Sequence, residues 1–306
     1  MKAGIIILNY NNAVQTIACV ESIWRFNSAS CRPVVVDNCS TDDSLSVLEK
    51  YLSEHGNAFE LVRATSNGGY AQGNNVGLKY LEDDPETDRI LILNNDVLFT
   101  QDILPRMSEF LDSHPEAGVV SPLLYCRDGK TIDYTCARKD CTVREIVWTY
   151  LLYFTDIFGI LSRFSNRRKL LLQNPSLLNS DEVEIELTSG SCFMIKKDLF
   201  REIGYFDPNT FLYYEENILY RKLLEEGKKN YLLPDISCIH LGGETTNKVA
   251  HSASYMKASK ASGYYYATHY RKLNSLQKII LRCSRLWFEA MVDVVKFVKG
   301  ARKHDA

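Results

Sequence analysis

The sequence predicts an α/β protein with a mostly parallel central sheet, flanking helices and a helical C-terminal extension. Through the first 125 residues, short apolar segments that end in polar residues alternate with segments of helical periodicity. This alternation is typical of a doubly wound sheet, in which each helix returns the chain to the start of another parallel strand. From about residue 250 the pattern becomes helical and basic instead.

Five strands and four helices are expected in this first part. Each strand candidate is a short apolar run, the pattern of a strand buried on both faces. The strands are expected at 4–10, 33–39, 59–64, 89–95 and 117–125. Apolar residues at helical spacing predict helices at about 13–26, 42–54, 71–82 and 102–113. Residues 126–186 lose this rhythm and are treated as a variable insert.

Composition excludes several classes of protein. The 306 residues are 45% hydrophobic and 24% charged, as in soluble globular proteins. The net charge of −2 gives no general attraction to nucleic acid, so no nucleic-acid partner is expected. No apolar stretch approaches the roughly 20 residues of a membrane span, and Met1 leads directly into a strand rather than a signal peptide. The odd number of cysteines, nine, suits a reducing cytoplasm.

Polar side chains end three of the predicted strands. Asn9, Asp37 and Asp96 each come at the end of an apolar run or directly after it. Because ligands of open α/β sheets bind at the carboxyl ends of the strands, we expect these side chains to meet at one crevice. Asp96 would there hold a hard cation or a ligand hydroxyl. The alternative is a set of plain turns, which Asn and Asp also favour.

A glycine- and asparagine-rich segment, 66–77, joins the third strand to the third helix. Gly68 and Gly69 allow close approach of a ligand, and a helix that starts near Ala71 would present unpaired N–H groups to an anionic or polar ligand. The alternative is a connection packed tightly for space. A dinucleotide site is not expected, because residues 9–12 carry no glycine where the G-x-G-x-x-G motif would stand.

The second half offers two further candidate segments. Residues 186–196 have the pattern of a strand that carries Ser189, Gly190 and Ser191 at a close-packed point. A helix is expected to begin within 211–224 and to bury Ile218, Leu219, Leu223 and Leu224. Glu215 and Glu216 lie in its first turn, where acidic residues are ordinary because they interact favourably with the helix dipole.

Together these segments resemble glycosyltransferase family 2, a family of inverting enzymes with the GT-A fold, and most of all its bacterial rhamnosyltransferase-type branch. The resemblance covers roughly residues 3–245. The motifs that carry it occur in the family's order at 9–11, 36–42, 67–75, 93–97, 188–193, 214–216 and 240–244.

The resemblance also implies a domain organisation. Residues 1–248 would form the GT-A domain, and 249–306 an amphipathic helical region. Within the domain, 1–125 would be the nucleotide-binding half, 126–186 the insert and 187–248 the acceptor and catalytic half.

The resemblance assigns the nucleotide sugar to the first half of the chain. Asp37 would bind the nucleotide base, and the segment 94–96 stands where the family has its D-x-D element, reduced here to one carboxylate. The residues implied in nucleotide-sugar binding are Asn9, Tyr10, Asn11, Asp37, Asn67, Gly69, Asn94, Asn95 and Asp96.

The resemblance assigns the sugars and the catalytic base to the second half. Thr188, Ser189, Gly190 and Ser191 would line the donor sugar and the acceptor. Glu216 takes the position of the catalytic base; Glu215 is the alternative, because the family's Glu-Asp pair is Glu-Glu here. A base opposite the leaving group predicts inversion at the anomeric carbon.

A divalent cation, Mg²⁺ or Mn²⁺, is the expected cofactor. It would stabilise the charge that builds on the leaving diphosphate. Its protein ligands would be Asp96 and His240. One carboxylate can suffice when the substrate supplies further oxygen ligands. A buried structural imidazole is the alternative role for His240.

The C-terminal region has the pattern of a cationic amphipathic helix. Residues 274–299 combine an apolar face that includes Trp287 with lysines and arginines. Such a helix can lie on an anionic membrane surface, or it can pack on the protein core with its lysines in solvent. The resemblance favours the membrane, since many members of the family use lipid-linked acceptors.

The expected function is an inverting glycosyltransferase at the inner face of the cell membrane. It would transfer a sugar, rhamnose among the candidates, from a UDP- or dTDP-sugar to a saccharide or lipid-linked saccharide in O-antigen or capsule synthesis. Two alternatives remain. A nucleotidyltransferase usually carries a glycine-rich basic loop after its first strand, which is absent here. A non-catalytic sugar-nucleotide-binding protein would not need the acidic pair at 215–216.

Overall fold

The computed structural model describes residues 2–26, 31–156, 158–242 and 253–304, with the backbone alone at 253–255 and 297–304. The strands are β1 (Lys2–Asn9), β2 (Cys31–Asp37), β3 (Glu60–Arg63), β4 (Thr87–Asn94), β5 (Val97–Phe99), β6 (Ala117–Tyr125), β7 (Ala137–Arg138), β8 (Val183–Ile185), β9 (Leu187–Thr188), β10 (Cys192–Lys196) and β11 (Lys229–His240). The helices are α1 (Ala13–Phe26), α2 (Ser44–His55), α3 (Gly69–Tyr80), α4 (Leu104–Ser113), α5 (Val143–Leu152), α6 (Ile160–Arg168), α7 (Leu170–Gln173), α8 (Lys197–Glu202), α9 (Glu215–Glu225), α10 (Ala253–His269) and α11 (Ser275–His304).

The main sheet has the strand order β3-β2-β1-β4-β10-β6-β11-β5, with β8 paired to β11. The first four strands run parallel, and so do β6 and β11, whereas β10 runs antiparallel between β4 and β6. A separate two-stranded sheet joins β7 to β9. The predicted mostly parallel sheet with flanking helices is therefore confirmed.

The apolar run of β1 explains why helices cover both faces of the sheet. Ile5 and Ile7 point into the cluster that contains α1 and α4, while Ile6 points into the opposite cluster with α3 and α9. All three are fully buried, and burial of each such side chain stabilises the fold by roughly 1.5–3 kcal/mol. Residues of alternating direction thus hold a layer of helices on each side.

Glycines of α3 serve packing, as the alternative for this segment anticipated. A Cβ atom on Gly77 would lie 2.8 Å from Cγ2 of Ile6, and one on Gly73 would lie 2.5 Å from Cδ1 of Leu8. Both distances are shorter than real Cβ contacts. The helix can therefore lie this close to β1 only because these positions lack side chains.

The structure corrects two expectations about the second half. The predicted strand 186–196 is interrupted at 189–191, between β9 and β10. Leu224, expected on the buried face of its helix, is exposed. The helix itself, α9, begins at Glu215 and has Glu215 and Glu216 in its first turn, as expected. The insert 126–186 contains α5, α6 and α7. Local patterns missed the interruption and the exposure of Leu224 because pairing and packing between distant segments decide them.

The C-terminal helices form a third hydrophobic cluster with the insert. Phe288 and Val292 of α11 pack with Ile146 and Tyr150 of α5, and Ile218 of α9 joins the same cluster. One face of α11 therefore packs on the protein, which confirms the core-packing alternative for that face. Among the helices that the structure describes, none combines the length and the apolar composition needed to cross a membrane.

A buried carboxylate, Asp140, ties this cluster together. Its side chain is 2% exposed and accepts hydrogen bonds from Tyr266 (2.6 Å), Asn217 (2.6 Å) and Arg271 (2.8 Å). Arg221 of α9 is a second cationic partner. Asp140 thus links the insert to α9, to α10 and to the segment before α11.

Replacing Asp140 by Asn should lower the free energy of unfolding by roughly 3 kcal/mol, because two arginines would lose their buried counter-charge. Urea denaturation followed by circular dichroism measures this change. The matched control is Asp198→Asn, which breaks a solvent-exposed pair with Arg201 and should cost less than about 1 kcal/mol. Equal losses in the two variants would contradict the role given to Asp140.

Candidate active site

A chain of hydrogen bonds joins the polar ends of the first parallel strands. Nδ2 of Asn9 donates to Asp37 (2.9 Å), and Oγ1 of Thr16 donates to Oδ1 of Asn9 (2.8 Å). Nδ2 of Asn95 in turn donates to Oγ1 of Thr16 (3.0 Å). Thr16, which the sequence analysis did not single out, therefore links Asn9 and Asp37 to Asn95, the neighbour of Asp96 in sequence.

Asp37 is buried and held by its own loop. Its carboxylate accepts the hydroxyl (2.6 Å) and the backbone N–H (3.1 Å) of Ser40 in addition to the amide of Asn9. The side chain of Asn11 binds the neighbouring residue Thr41 through the backbone N–H (2.8 Å). Tyr10 is half-buried. Asn9, Asn11 and Asp37, three of the residues predicted to bind the nucleotide sugar, thus lie in one hydrogen-bonded patch with residues 40 and 41.

The start of α3 departs from the expectation of unpaired N–H groups. The N–H of Gly69 donates to the side chain of Asn67 (3.0 Å), and the N–H of Tyr70 donates to the carbonyl of Phe211 (3.0 Å). Asn67 also accepts the amide of Asn38 (3.0 Å). These first two amides of α3 are therefore used within the protein.

A cavity of about 230 Å³ lies beside the patch that contains Asn9 and Asp37, between the segment 94–96 and the start of α9. Asn95 belongs to both the hydrogen-bond chain and the cavity wall. The lining residues are Tyr70, Asn94, Asn95, Asp96, Ser189, Gly190, Ser191, Leu212, Tyr213, Glu215, Glu216 and His240. Four groups of predicted site residues line this cavity: the segments 94–96 and 189–191, the two glutamates, and His240. The other predicted site residues lie outside its lining: Asn9, Tyr10, Asn11, Asp37, Asn67, Gly69 and Thr188.

Glu216 is held at the cavity wall by the break between β9 and β10. Its Oε1 accepts the N–H of Gly190 (3.0 Å) and lies 3.6 Å from the guanidinium of Arg138. Tyr70 donates its hydroxyl to the carbonyl of Gly190. A Cβ atom on residue 190 would come within 2.9 Å of Glu216 Oε1, so glycine is required for this contact.

Glu215 is buried beside it. It is 5% exposed, and its Oε1 has no hydrogen-bond partner among the described residues. Burial and the neighbouring charge of Glu216 raise the pKa of Glu215 to about 8. Burial thus favours the neutral form of Glu215, whereas its neighbour Glu216 contacts the guanidinium of Arg138.

The chain enters α9 through two residues in left-handed backbone conformation. Tyr213 and Tyr214 have φ angles of 68° and 72°, which cost about 1–3 kcal/mol each for residues with a side chain. The ring of Tyr214 packs against Gly263 of α10, where a Cβ atom would come within 2.8 Å. The C-terminal helices therefore support the turn that presents the two glutamates.

His240 connects Asp96 to a residue of the insert, Asp133. Nδ1 of His240 lies 2.8 Å from Asp133, and Nε2 lies 3.5 Å from Asp96. Burial opposes the charged imidazole, but the hydrogen bonds to Asp133 and Asp96 outweigh it and raise the pKa of His240 to about 10. Burial likewise opposes the charged form of Asp133, but the hydrogen bonds from His240 and Thr135 lower its pKa to about 2.

This donor set fits a divalent cation with two protein ligands. Asp96 offers carboxylate oxygen, and His240 would offer Nε2 once the cation displaces its proton, while the Asp133 carboxylate orients the ring from its other nitrogen, as in many metal-bound histidines. Within the described parts of the chain, no three histidine, cysteine or acidic side chains converge on one such point. A diphosphate and water would supply the remaining oxygen ligands.

Four contributors to the site, Thr16, Tyr70, Asp133 and Arg138, were missed by sequence reasoning. Thr16 lies on a helix whose pattern shows only periodicity, and Tyr70 lies within the segment 66–77, where only the glycines and Asn67 were singled out. Asp133 and Arg138 lie in the insert, where no motif indicated a function. Their roles follow from pairing at β7–β9 and from the path of the insert, which no local signal in the sequence reveals.

Comparison with known proteins identifies the family. The model of "Glycosyl transferase family 2" matches residues 4–204, well over half of the chain. The relatives include the low-salt glycan biosynthesis hexosyltransferase Agl10 of Haloferax volcanii, 24% identical over 70% of this chain and 58% of its own length. The chain thus spans somewhat more than half of that relative.

Two further relatives are covered more completely. The dTDP-rhamnosyl transferase RfbF of Shigella flexneri is 23% identical over 80% of this chain and 70% of its own length. The N-acetylglucosaminyl-diphospho-decaprenol L-rhamnosyltransferase of Mycobacterium tuberculosis is 24% identical over 78% of this chain and 76% of its own length.

A solved structure shows the same fold. The mannosyltransferase PcManGT from Pyrobaculum calidifontis, in complex with GDP-Man and Mn²⁺, aligns with a TM-score of 0.56 at 16% identity. The alignment covers 98% of this chain and 75% of PcManGT. The expected GT-A fold is thereby confirmed, and with the match to the family model it shows that this chain belongs to glycosyltransferase family 2.

Proposed function

We propose that the protein is an inverting glycosyltransferase that transfers a sugar from a nucleotide-diphosphate donor to a hydroxyl of a saccharide or lipid-linked saccharide. One observation carries this proposal: Glu216 lines the same cavity as Asp96 and His240. A base and an anion-stabilising group on one cavity are what sugar transfer with a diphosphate leaving group requires.

Glu216 is the group that would accept the proton. The acceptor oxygen forms its bond to the anomeric carbon as the bond from that carbon to the diphosphate oxygen breaks. The acceptor proton passes to the Glu216 carboxylate, and the electron pair leaves with the nucleoside diphosphate. Arg138 and the N–H of Gly190 contact Oε1 of Glu216, so the carboxylate that would accept the proton is held in place at the cavity wall. A base on the far side from the leaving group gives inversion.

Asp96 and His240 would bind the diphosphate end of the donor. A divalent cation held between them and the phosphates, Mg²⁺ or Mn²⁺, would neutralise the charge that develops on the leaving oxygen. The PcManGT complex contains Mn²⁺ with a nucleotide sugar, which supports this cofactor. Asn9, Asp37 and the loop 38–43 would hold the nucleotide from the adjacent patch.

The proposed donor is taken from the substrates for which two relatives are named. The name of RfbF specifies dTDP and rhamnose, and the mycobacterial name specifies L-rhamnose and a decaprenol diphosphate. We therefore propose a dTDP- or UDP-sugar donor, with rhamnose among the sugars, and an acceptor of cell-surface polysaccharide synthesis such as O-antigen or capsule precursors.

The outer face of α11 supports a location at the cytoplasmic surface of a membrane. This apolar stripe is exposed although the opposite face of the helix is buried; Leu276 is 65% and Trp287 50% exposed. The stripe comprises Leu276, Ile279, Ile280, Leu286, Trp287 and Val294. Exposed basic residues, Lys278, Arg282 and Lys296, lie beside it on the helix. Apolar anchors with cations beside them fit an anionic bilayer.

The variant Glu216→Gln should lose at least about 10²-fold in sugar transfer and in slow donor hydrolysis, because the amide cannot accept the proton. Thermal shift against UDP-, dTDP- and GDP-sugars with Mn²⁺ selects the donor, and release of nucleoside diphosphate measures the rate. Donor binding should persist in the variant.

The matched control for that experiment is Glu225→Gln, an exposed glutamate on the same helix. It should behave as the unmodified protein. Normal turnover by Glu216→Gln would refute the base assignment. Donor binding without any turnover by the unmodified protein would point to a binding protein instead, and formation of the sugar nucleotide with release of pyrophosphate would point to a nucleotidyltransferase.

The double variant Ile280→Ser with Trp287→Ser should bind vesicles of anionic phospholipid at least tenfold more weakly, since each large apolar side chain contributes about 1.5–3 kcal/mol when buried. Co-sedimentation with vesicles measures this binding. Val14→Ser, which changes an exposed apolar residue on α1, is the control. Unchanged vesicle binding by the double variant would contradict a membrane contact through this stripe.

A further inference from the structure

Glu215 has a buried oxygen that no described residue satisfies. The side chain lies in the first turn of α9 and lines the cavity that contains Glu216 and Asp96. Oε1 is buried without a hydrogen-bond partner among the described residues, although buried polar atoms in folded proteins nearly always have one. The partner of this oxygen is therefore expected in a bound molecule.

The groups around Glu215 disfavour a second negative charge in this wall. Glu216 follows it directly, and Asp96 lines the same cavity. Two cations are near, but both are engaged elsewhere: Arg138 contacts Glu216, and His240 lies between Asp96 and Asp133. Tyr70 of α3 and Tyr213 complete this part of the lining. A hydrogen bond from Thr210 favours the charged form of Glu215, but burial outweighs it.

We propose that Glu215 acts as a neutral carboxylic acid whose O–H donates a hydrogen bond to a hydroxyl of the donor sugar. This inference rests on the proposed glycosyltransferase function and deepens it. Glu215 would thereby recognise the donor sugar through its O–H, while the neighbouring Glu216 serves as the base.

The position of the cavity identifies the donor sugar as the ligand. Asp96 and His240, which would bind the diphosphate, line the same cavity as Glu216, which would face the attacking hydroxyl. The anomeric carbon must lie between these groups, so the ring of the donor sugar occupies the space that Glu215 borders. A protonated carboxyl carries both a donor and an acceptor, which matches a sugar hydroxyl, whereas an ionised one only accepts.

The neutral form also protects the function of Glu216. An ionised Glu215 would place a second negative charge directly beside the carboxylate that accepts the proton, in a wall where burial already opposes charge. With Glu215 neutral, this repulsion is absent. In several enzymes, the surroundings of two nearby carboxyl groups separate their pKa values, so that one stays protonated while the other is ionised.

The substitution Glu215→Gln tests this role, because the amide remains neutral and can donate a hydrogen bond at every pH. With the donor chosen by thermal shift, we expect Glu215→Gln to lower kcat/KM for donor hydrolysis by less than tenfold and Glu215→Ala by more than a hundredfold. The loss in Glu215→Ala should appear in the KM for the donor as well as in kcat, because a sugar contact is removed.

The pH profile gives a second, independent readout. Glu215 must be protonated to act, so activity should be full below its pKa of about 8 and fall about tenfold per pH unit above it. Glu215→Gln should remove this alkaline decline. It should also unfold at a higher temperature than the unmodified protein at pH 9 but not at pH 5, because the pKa of Glu215 is raised on folding and the protein therefore loses stability as pH rises towards 8.

Three results would overturn the inference: Glu215→Gln as inactive as Glu216→Gln, an alkaline decline that persists in Glu215→Gln, or unchanged donor hydrolysis in Glu215→Ala. Circular dichroism of each variant excludes loss of folding as the cause. Failure of the proposed function is distinct from these results, because the unmodified protein would then release no nucleoside diphosphate from any of the nucleotide sugars.

Discussion

The hydrogen bond from the N–H of Gly190 to Glu216 is the contact on which the geometry of the site depends. It joins the start of α9 to the break between β9 and β10, and the next residue, Ser191, accepts the N–H of Asn94 (2.8 Å). The start of α9 is thereby fixed against the end of β4. This contact therefore links the glutamate pair to the segment 94–96 through residues 190 and 191.

Much of the fold was predictable because its signals are local. Apolar runs located the first parallel strands to within a few residues, and polar strand ends indicated Asn9, Asp37 and Asp96. Asp133 and Arg138 were not predictable, because they reach the site through the insert and through pairing of β7 with β9. The strand predicted at 186–196 failed for a related reason: Gly190 is held by Glu216, which is distant in sequence.

The polar groups of the cavity alternate in charge rather than accumulate one sign. Asp133, His240 and Asp96 form one series, in which the imidazole is flanked by carboxylates. Arg138, Glu216 and Glu215 form another, in which the last member is kept neutral by burial. The local field therefore comes from paired charges at fixed distances, which change little with ionic strength because they are partly shielded from solvent.

The C-terminal helices cannot be separated from α9 without loss of contacts. The ring of Tyr214 packs against Gly263, and Asp140 joins α9 to Tyr266 and Arg271. The segment after residue 252 supplies part of the packing surface for the helix that carries both glutamates. Ending the chain before α10 would expose that surface and leave the left-handed turn at Tyr213 and Tyr214 without lateral support. The structural unit that holds the two glutamates in place therefore includes α10 and α11.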